Sequence, residues 1–301
     1  GVIGSSCNDG NPNTNNDVLN ASCVCAGTPL VAITGCSSSQ SPYILPIGAG
    51  RTTTSILTVG DAVSGYPMVG IPDGMGAFDN GNGTFTLLLN HELGATAGAV
   101  RAHGSAGAFV SKWVINKSNL CVQSGSDLIT TVQLWNGTGF APGTTAFGRF
   151  CSADLPEVSA FYNPGTGKGT QERIFMNGEE SGAEGRAFGH ITTGANVGTS
   201  YQLPRLGRFS WENSVASPAS GDKTVVVGMD DATPGQVYVY IGTKQTTGND
   251  IEKAGLNNGS LYGVVVTGLP TEVSASVPAP NTTFTMFNLG NVANTTGAAL
   301  N

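Results

Sequence analysis

At 301 residues, with 13 basic and 20 acidic side chains and a formal charge of −7, the chain is long enough to bury a full core. It is also too acidic to be drawn to a phosphate backbone or an anionic membrane surface. Only 11% of residues are charged and 44 are glycine, which excludes coiled coils and long helices, and no apolar run reaches the roughly 18 residues of a spanning helix.

The chain starts at Gly1 with neither Met nor a basic-then-apolar leader, which reads as a processed or trimmed start. Residues 1–28 differ in composition from the rest and form a Cys/Asn-rich spacer. Oxygen-bearing side chains alternate there at Asp9, Asn11, Asn13, Asn15 and Asp17, the way a short loop wraps a hard cation such as calcium. An EF-hand is excluded, because its sixth and twelfth positions would be Thr14 and Asn20 instead of Gly and Glu. Two readings stay open for this segment: a disulfide-closed polar linker and a calcium loop.

Six cysteines (Cys7, Cys23, Cys25, Cys36, Cys121 and Cys151) occur in a Gly/Asn/Thr-rich chain, an even count that favours disulfides in an oxidising compartment. A zinc knuckle fits poorly, since one residue separates Cys23 from Cys25 and no His is near. Cys121 and Cys151 are expected to pair with each other. Seven Asn-x-Ser/Thr sequons (Asn20, Asn82, Asn116, Asn136, Asn258, Asn281 and Asn294) mark surface loops.

Residues 29–301 read as one all-β domain of short β-branched or aromatic segments punctuated by Gly, Pro, Asn and Asp. In chain order the predicted strands are Thr84–Leu89, Phe109–Ile115, Ile129–Leu134, Thr224–Val227, Gln236–Ile241, Leu261–Val266 and Thr283–Phe287. The stretch from Gly94 to Ala108 is rich in Ala but carries four glycines, so it is read as loop. Asp230-Asp231-Ala-Thr-Pro-Gly235 supplies turn geometry between two strands, giving a hairpin. Propeller, sandwich and barrel all accommodate such antiparallel sheets.

Carboxylates gather after apolar strands. Glu92 follows Thr-Leu-Leu-Leu-Asn-His, Glu179 and Glu180 follow Ile-Phe-Met-Asn-Gly, and Asp230 and Asp231 follow Val-Val-Val-Gly-Met. Glu212 lies beside Trp211, near Arg208 and Phe209, where a carboxylate needs a partner. Each pair alone is an ordinary solvated turn, His91 alone an ordinary structural histidine, and Trp211 alone core. Recurrence in a chain with few acids points to one polyvalent cation site drawing on several strands. No Walker loop, dinucleotide fingerprint or nucleophile elbow is apparent.

The motifs Leu-Asn-His-Glu92, Phe-Val-Ser-Lys-Trp-Val-Ile, Cys-Ser-Ala-Asp-Leu-Pro-Glu157, Phe-Met-Asn-Gly-Glu-Glu180, Gly-Arg-Phe-Ser-Trp-Glu212 and Val-Gly-Met-Asp-Asp231 occur in an order that resembles the PhoX-type alkaline phosphatase family, across roughly residues 50–290. The spacer resembles short Bacteroidetes-type linkers of exported proteins. The PhoX resemblance implies a β-propeller that binds calcium, and in some members iron, and hydrolyses phosphoester substrates outside the cytoplasm. It implies Glu92, Glu179, Glu180, Glu212, Asp230 and Asp231 as metal ligands, with Arg208 as a catalytic phosphate partner or a structural salt bridge. Where that pattern often has a cysteine before its paired glutamates, this chain has Gly178, which favours calcium over iron. Similar proteins continue past the equivalent of residue 301, so the propeller is expected to be incomplete here, its open edges closed by further chain or by homo-oligomer or filament contacts. The alternative to a secreted phosphomonoesterase is an extracellular structural protein of the cell surface that keeps the scaffold and its calcium without catalysis.

Overall fold

The computed structural model describes residues 1–11, 14–47, 51–269, 271 and 282–300; Asn13 and the sequon Asn281 lie outside them. The chain is all-β, and the described residues include two four-residue helices, α1 (Asp250–Lys253) and α2 (Gly297–Leu300). Two compact units divide it. One comprises Gly1–Val69, Asp79–Thr86 and Trp113–Gly125, and the other Gly70–Phe78, Leu87–Lys112 and Ser126–Asn301.

In the first unit, β1 (Thr14–Leu19) pairs antiparallel with β2 (Cys25–Pro29), and a Cys7–Cys25 disulfide joins the flanking chain to that hairpin. The Asp9 carboxylate accepts from the backbone N–H of Asn11 and Gly27 and from the Thr14 hydroxyl, donors that hold its pKa below the ordinary range, Asn11 first. Asp9 and one oxygen of Asp17, which accepts the Asp9 N–H at 2.9 Å, are thus engaged with the chain itself. β3 (Val31–Thr34) runs parallel to β4 (Thr52–Ser55), and β5 (Ala62–Val63) pairs with β6 (Tyr66–Pro67). Tyr66 meets Trp113 edge-on at 5.3 Å between ring centroids. Cys36 bonds to Cys121, their Cα atoms 5.5 Å apart. This corrects the expected Cys121–Cys151 pair: Cys151 is free, as is exposed Cys23. Cys121 follows the turn that the Asn116 side chain organises, which brings it to the segment carrying Cys36.

Three larger sheets follow. A meander of β7 (Pro72–Asp79), β8 (Thr84–His91), β9 (Phe109–Asn116) and β10 (Val122–Asp127) has strand order β10-β9-β8-β7. Next come β11 (Thr131–Trp135), β12 (Phe140–Gly143) and β13 (Phe150–Asp154), then the short pair β14 (Tyr162–Asn163) and β15 (Lys168–Gly169). With β16 (Ile174–Glu179), β17 (Ala187–Ile191) and β18 (Thr199–Gln202) they build a six-stranded sheet of order β12-β11-β18-β17-β16-β13. Its β11–β18 pairing is parallel, a crossover the sequence pattern did not reveal. The last sheet is antiparallel throughout: β19 (Trp211–Ala216), β20 (Lys223–Asp230), β21 (Val237–Thr243), β22 (Ser260–Val266) and β23 (Phe284–Gly290), in chain order. The three sheets are open ones, each with two edges.

All seven predicted strands form, each shifted or lengthened by a few residues, and Gly94–Ala108 is turn and loop. Asn82, Asn116 and Asn136 use their side-chain oxygens to close turns onto the N–H two residues ahead, so these sequons have a local structural role as well. In the second unit, Phe147, Phe150, Phe175 and Phe188 pack into one cluster, and Phe209, Trp211 and Tyr238 stack in another.

Candidate metal centre

Five side chains of the second unit converge from five places in the chain. Asp73 lies on β7, Glu92 just past β8, Cys151 on β13, Glu180 just past β16, and Glu212 on β19. Two triads of metal-type donors result, Asp73–Glu92–Cys151 and Cys151–Glu180–Glu212, with the ligand atoms of each within 4.8 Å of one another. The Cys151 sulfur belongs to both.

Backbone ties hold these strand ends in place. The N–H of Glu92 donates to Ile71 O and that of Glu180 to Arg149 O, each at 2.9 Å. Two glycines permit the close packing that brings the donors together. A Cβ on Gly178 would lie 2.3 Å from Trp211 Cβ, and one on Gly74 would lie 2.3 Å from the Ala153 nitrogen. Their bare backbones let β19 approach β16, carrying Glu212, and let β7 approach β13, carrying Asp73 beside Cys151. A cysteine at 178 would collide with Trp211; the thiol comes instead from Cys151 on the adjoining strand.

The sulfur lies 3.5 Å from Asp73 Oδ2 and 3.7 Å from Glu212 Oε2. Ser152 Oγ donates to Glu212 Oε1 at 3.1 Å. Burial, then the charges of Asp73 and Glu212, push the thiol up to about 12. Desolvation raises Glu180 above the ordinary carboxylate range, opposed by Arg149 and aided by Glu92 and Asp231. Arg149 is the cation that faces this group: Nε donates to Glu92 Oε1 and Nη2 to Glu180 Oε2, both at 2.9 Å. Its side chain is 51% exposed while those of Glu92 and Glu180 are 12% and 13% exposed. The guanidinium thus lies at the solvent side of the acids. Four carboxylates and a thiol against one arginine leave a deficit of positive charge that a bound cation would offset.

Of the residues the sequence nominated, the structure brings together Glu92, Glu180 and Glu212. Glu179 turns away: it is buried in a two-pronged pair with Arg186 at 2.7 and 2.8 Å and accepts from Gly148 N. Asp230 accepts the Ser210 N–H, and burial raises its carboxyl above the ordinary range. Asp231 is exposed, close enough for its charge to act on Glu180. Arg208 pairs with Glu184 at 3.0 Å on the surface. Asp73, Cys151 and Arg149 were missed. Cys151 was assigned to a disulfide, Asp73 sits in a glycine-rich segment without an apolar run, and Arg149 has no motif of its own.

The donor set fits cation chemistry. Carboxylates suit calcium, magnesium or manganese, while a thiolate among carboxylates suits iron or zinc. The reason for disfavouring iron, a missing cysteine before Glu179, no longer holds.

No family model and no curated protein matches the chain. A solved structure, Pseudomonas fluorescens PhoX in complex with vanadate, a transition state analogue, is similar at 11% identity and a TM-score of 0.44. The match covers 65% of this chain and 45% of that one, so the chain spans less than half of its length.

Proposed function

We propose that the five-residue cluster is the polyvalent-cation site of a phosphomonoesterase. The observation that carries the reading is the pair of donor triads sharing Cys151, with Arg149 at their solvent side. Asp73, Glu92, Glu180 and Glu212 would hold the cations, calcium on the carboxylates and iron or zinc beside the sulfur. Bound cations would supply the charge that polarises a phosphoryl group. Arg149 would offer its Nη1 to a phosphate oxygen and orient the ester, since half of its side chain reaches solvent while Glu92 and Glu180 occupy Nε and Nη2 and fix its plane. In this proposal Arg149, not Arg208, is the phosphate partner. Ser152, hydrogen-bonded to Glu212, would keep that carboxylate turned toward Cys151. The two disulfides support an extracellular or cell-surface setting.

A second reading, a self-assembling extracellular scaffold, is favoured by β23. This edge strand carries no charged residue and exposes Phe284 and Phe287 by 60% and 64%, the kind of edge that pairs with another strand.

Hydrolysis of p-nitrophenyl phosphate at alkaline pH separates the two. Protein loaded with calcium plus zinc or ferric iron should turn over, lose activity on chelation, and regain it on reloading; Glu180→Ala should stay inactive. Intact, cation-loaded protein without turnover sinks the enzyme and leaves the scaffold.

A further inference from the structure

Behind the cluster runs a buried polar chain across four strands. His190 Nε2 meets Asn177 Oδ1 at 2.9 Å, Asn177 Nδ2 donates to Asn90 Oδ1 at 2.9 Å, and Asn90 Nδ2 donates to the carbonyls of Cys151 and Ser152 at 2.8 and 3.2 Å. His190, Asn177 and Asn90 are each 0% exposed. Polar side chains so deep in a core cost folding free energy unless they are hydrogen-bonded, as these are to one another.

The two carbonyls fix every proton in the chain. A carbonyl can only accept, so Asn90 must present its amide nitrogen to residues 151 and 152 and its oxygen to Asn177. Asn177 must then donate to Asn90 and turn its own oxygen to His190. His190 is thereby committed to carrying a proton on Nε2. Its ring is wedged among Phe150, Phe175 and Phe188, and burial holds it neutral, with its pKa brought down to about 3.

We propose that His190, Asn177 and Asn90 are positioning residues for the cation site: they set the height of the Cys151–Ser152 backbone relative to the ends of β8 and β16, where Glu92 and Glu180 emerge. This rests on the cation-site reading above. Asn90 lies two residues before Glu92 and Asn177 three before Glu180, so one hydrogen-bonded line spaces donors from β8, β13 and β16 at once. Such supports of a ligand set typically govern affinity by about 10- to 100-fold.

The test uses the whole chain with Cys23 replaced by Ser, so that Cys151 is the free thiol. Asn90→Asp keeps the shape and sets a carboxylate oxygen against the two carbonyls. His190→Gln keeps a donor to Asn177, and His190→Leu removes it. Zinc affinity is measured by equilibrium dialysis, and Cys151 alkylation by iodoacetamide without metal; circular dichroism and thermal melts confirm folding. We expect Asn90→Asp and His190→Leu to weaken zinc binding by about tenfold or more and to change the alkylation rate, with His190→Gln restoring both. If Asn90→Asp fails to fold, the His190 pair carries the test. Unchanged alkylation and zinc affinity in folded His190→Leu overturn the proposal, as does His190→Gln behaving no better than His190→Leu. Glu180→Ala isolates the reading beneath it: zinc binding unaffected by that change defeats the cation site, while the alkylation comparison still decides whether the polar chain positions Cys151.

Discussion

Around Asp222 one carboxylate is surrounded by donors: Lys168 at 2.7 Å, Asn163 and Thr166 each at 2.6 Å. Around Cys151 four carboxylates crowd a thiol, and one arginine pairs with two of them, Glu92 and Glu180. Both regions are built from turns and strand ends rich in Asp, Glu, Ser and Thr, yet one lowers the pKa of its carboxylate and the other raises that of its thiol and of Glu180. Acid count therefore says little; the two regions differ in the ratio of acids to donors within hydrogen-bond reach. Glu179 and Glu180 make the same contrast between adjacent residues, the first closed by Arg186 and the second facing other acids.

The largest expected effect comes from breaking the satisfied side. Arg186→Met leaves Glu179 buried and unpaired, and should cost about 3–5 kcal/mol of unfolding free energy in urea titrations, whereas Arg186→Met with Glu179→Met should recover most of it. Recovery would confirm that this pair is structural; loss of zinc binding in the folded double variant would instead join it to the cation site. Next in size is cation loading. Zinc at a hundred times its dissociation constant should stabilise the protein by about 2.7 kcal/mol. Glu180→Gln should abolish that gain and raise the melting temperature of the metal-free protein by a few degrees, because it removes one member of a like-charged group. A Glu180→Gln protein that melts lower without metal would contradict the charge-deficit account.

The smallest effect concerns pH. Lys168, then Thr166 and Asn163, hold the Asp222 carboxyl well below its ordinary value of 3.8. The folded state thus binds this proton less tightly than the unfolded chain does. Its stabilisation is complete above about pH 4 and is lost as pH falls below that. Asp222→Asn should therefore flatten the fall in melting temperature between pH 4 and 2 while changing little between pH 5 and 8. An equal acid slope in both proteins would remove Asp222 from the account.

Local chemistry made the strands legible: β8, β9, β20, β21 and β22 are β-branched or aromatic runs with turn residues at their ends, and the Asp230–Gly235 turn carried its own Pro and Gly. The same logic singled out Glu92, Glu180 and Glu212, together with Glu179, Asp230 and Asp231, which lie outside the two triads, since acids at the ends of apolar strands stand out. It failed for Asp73, Arg149 and Cys151 because their partners are 19 to 78 residues distant in sequence, and only the register of β7, β13 and β16 brings them together. Gly178 shows the limit well. As a gap in a linear motif it argued against a thiol, whereas in space it is the opening that lets Trp211, and with it Glu212, approach the strand beside Cys151.

The Cys36–Cys121 bond, spanning 85 positions, makes a covalent ring of the chain segment that includes Asp73 and Glu92. A single proteolytic cut anywhere between the two cysteines opens the ring without releasing a fragment. Two of the five clustered residues would then remain tethered to the other three through the sulfur bridge, and the nicked protein would run as one species until reductant was added. Survival in a protease-rich medium would be governed by the redox state of one surface bond as much as by the buried core.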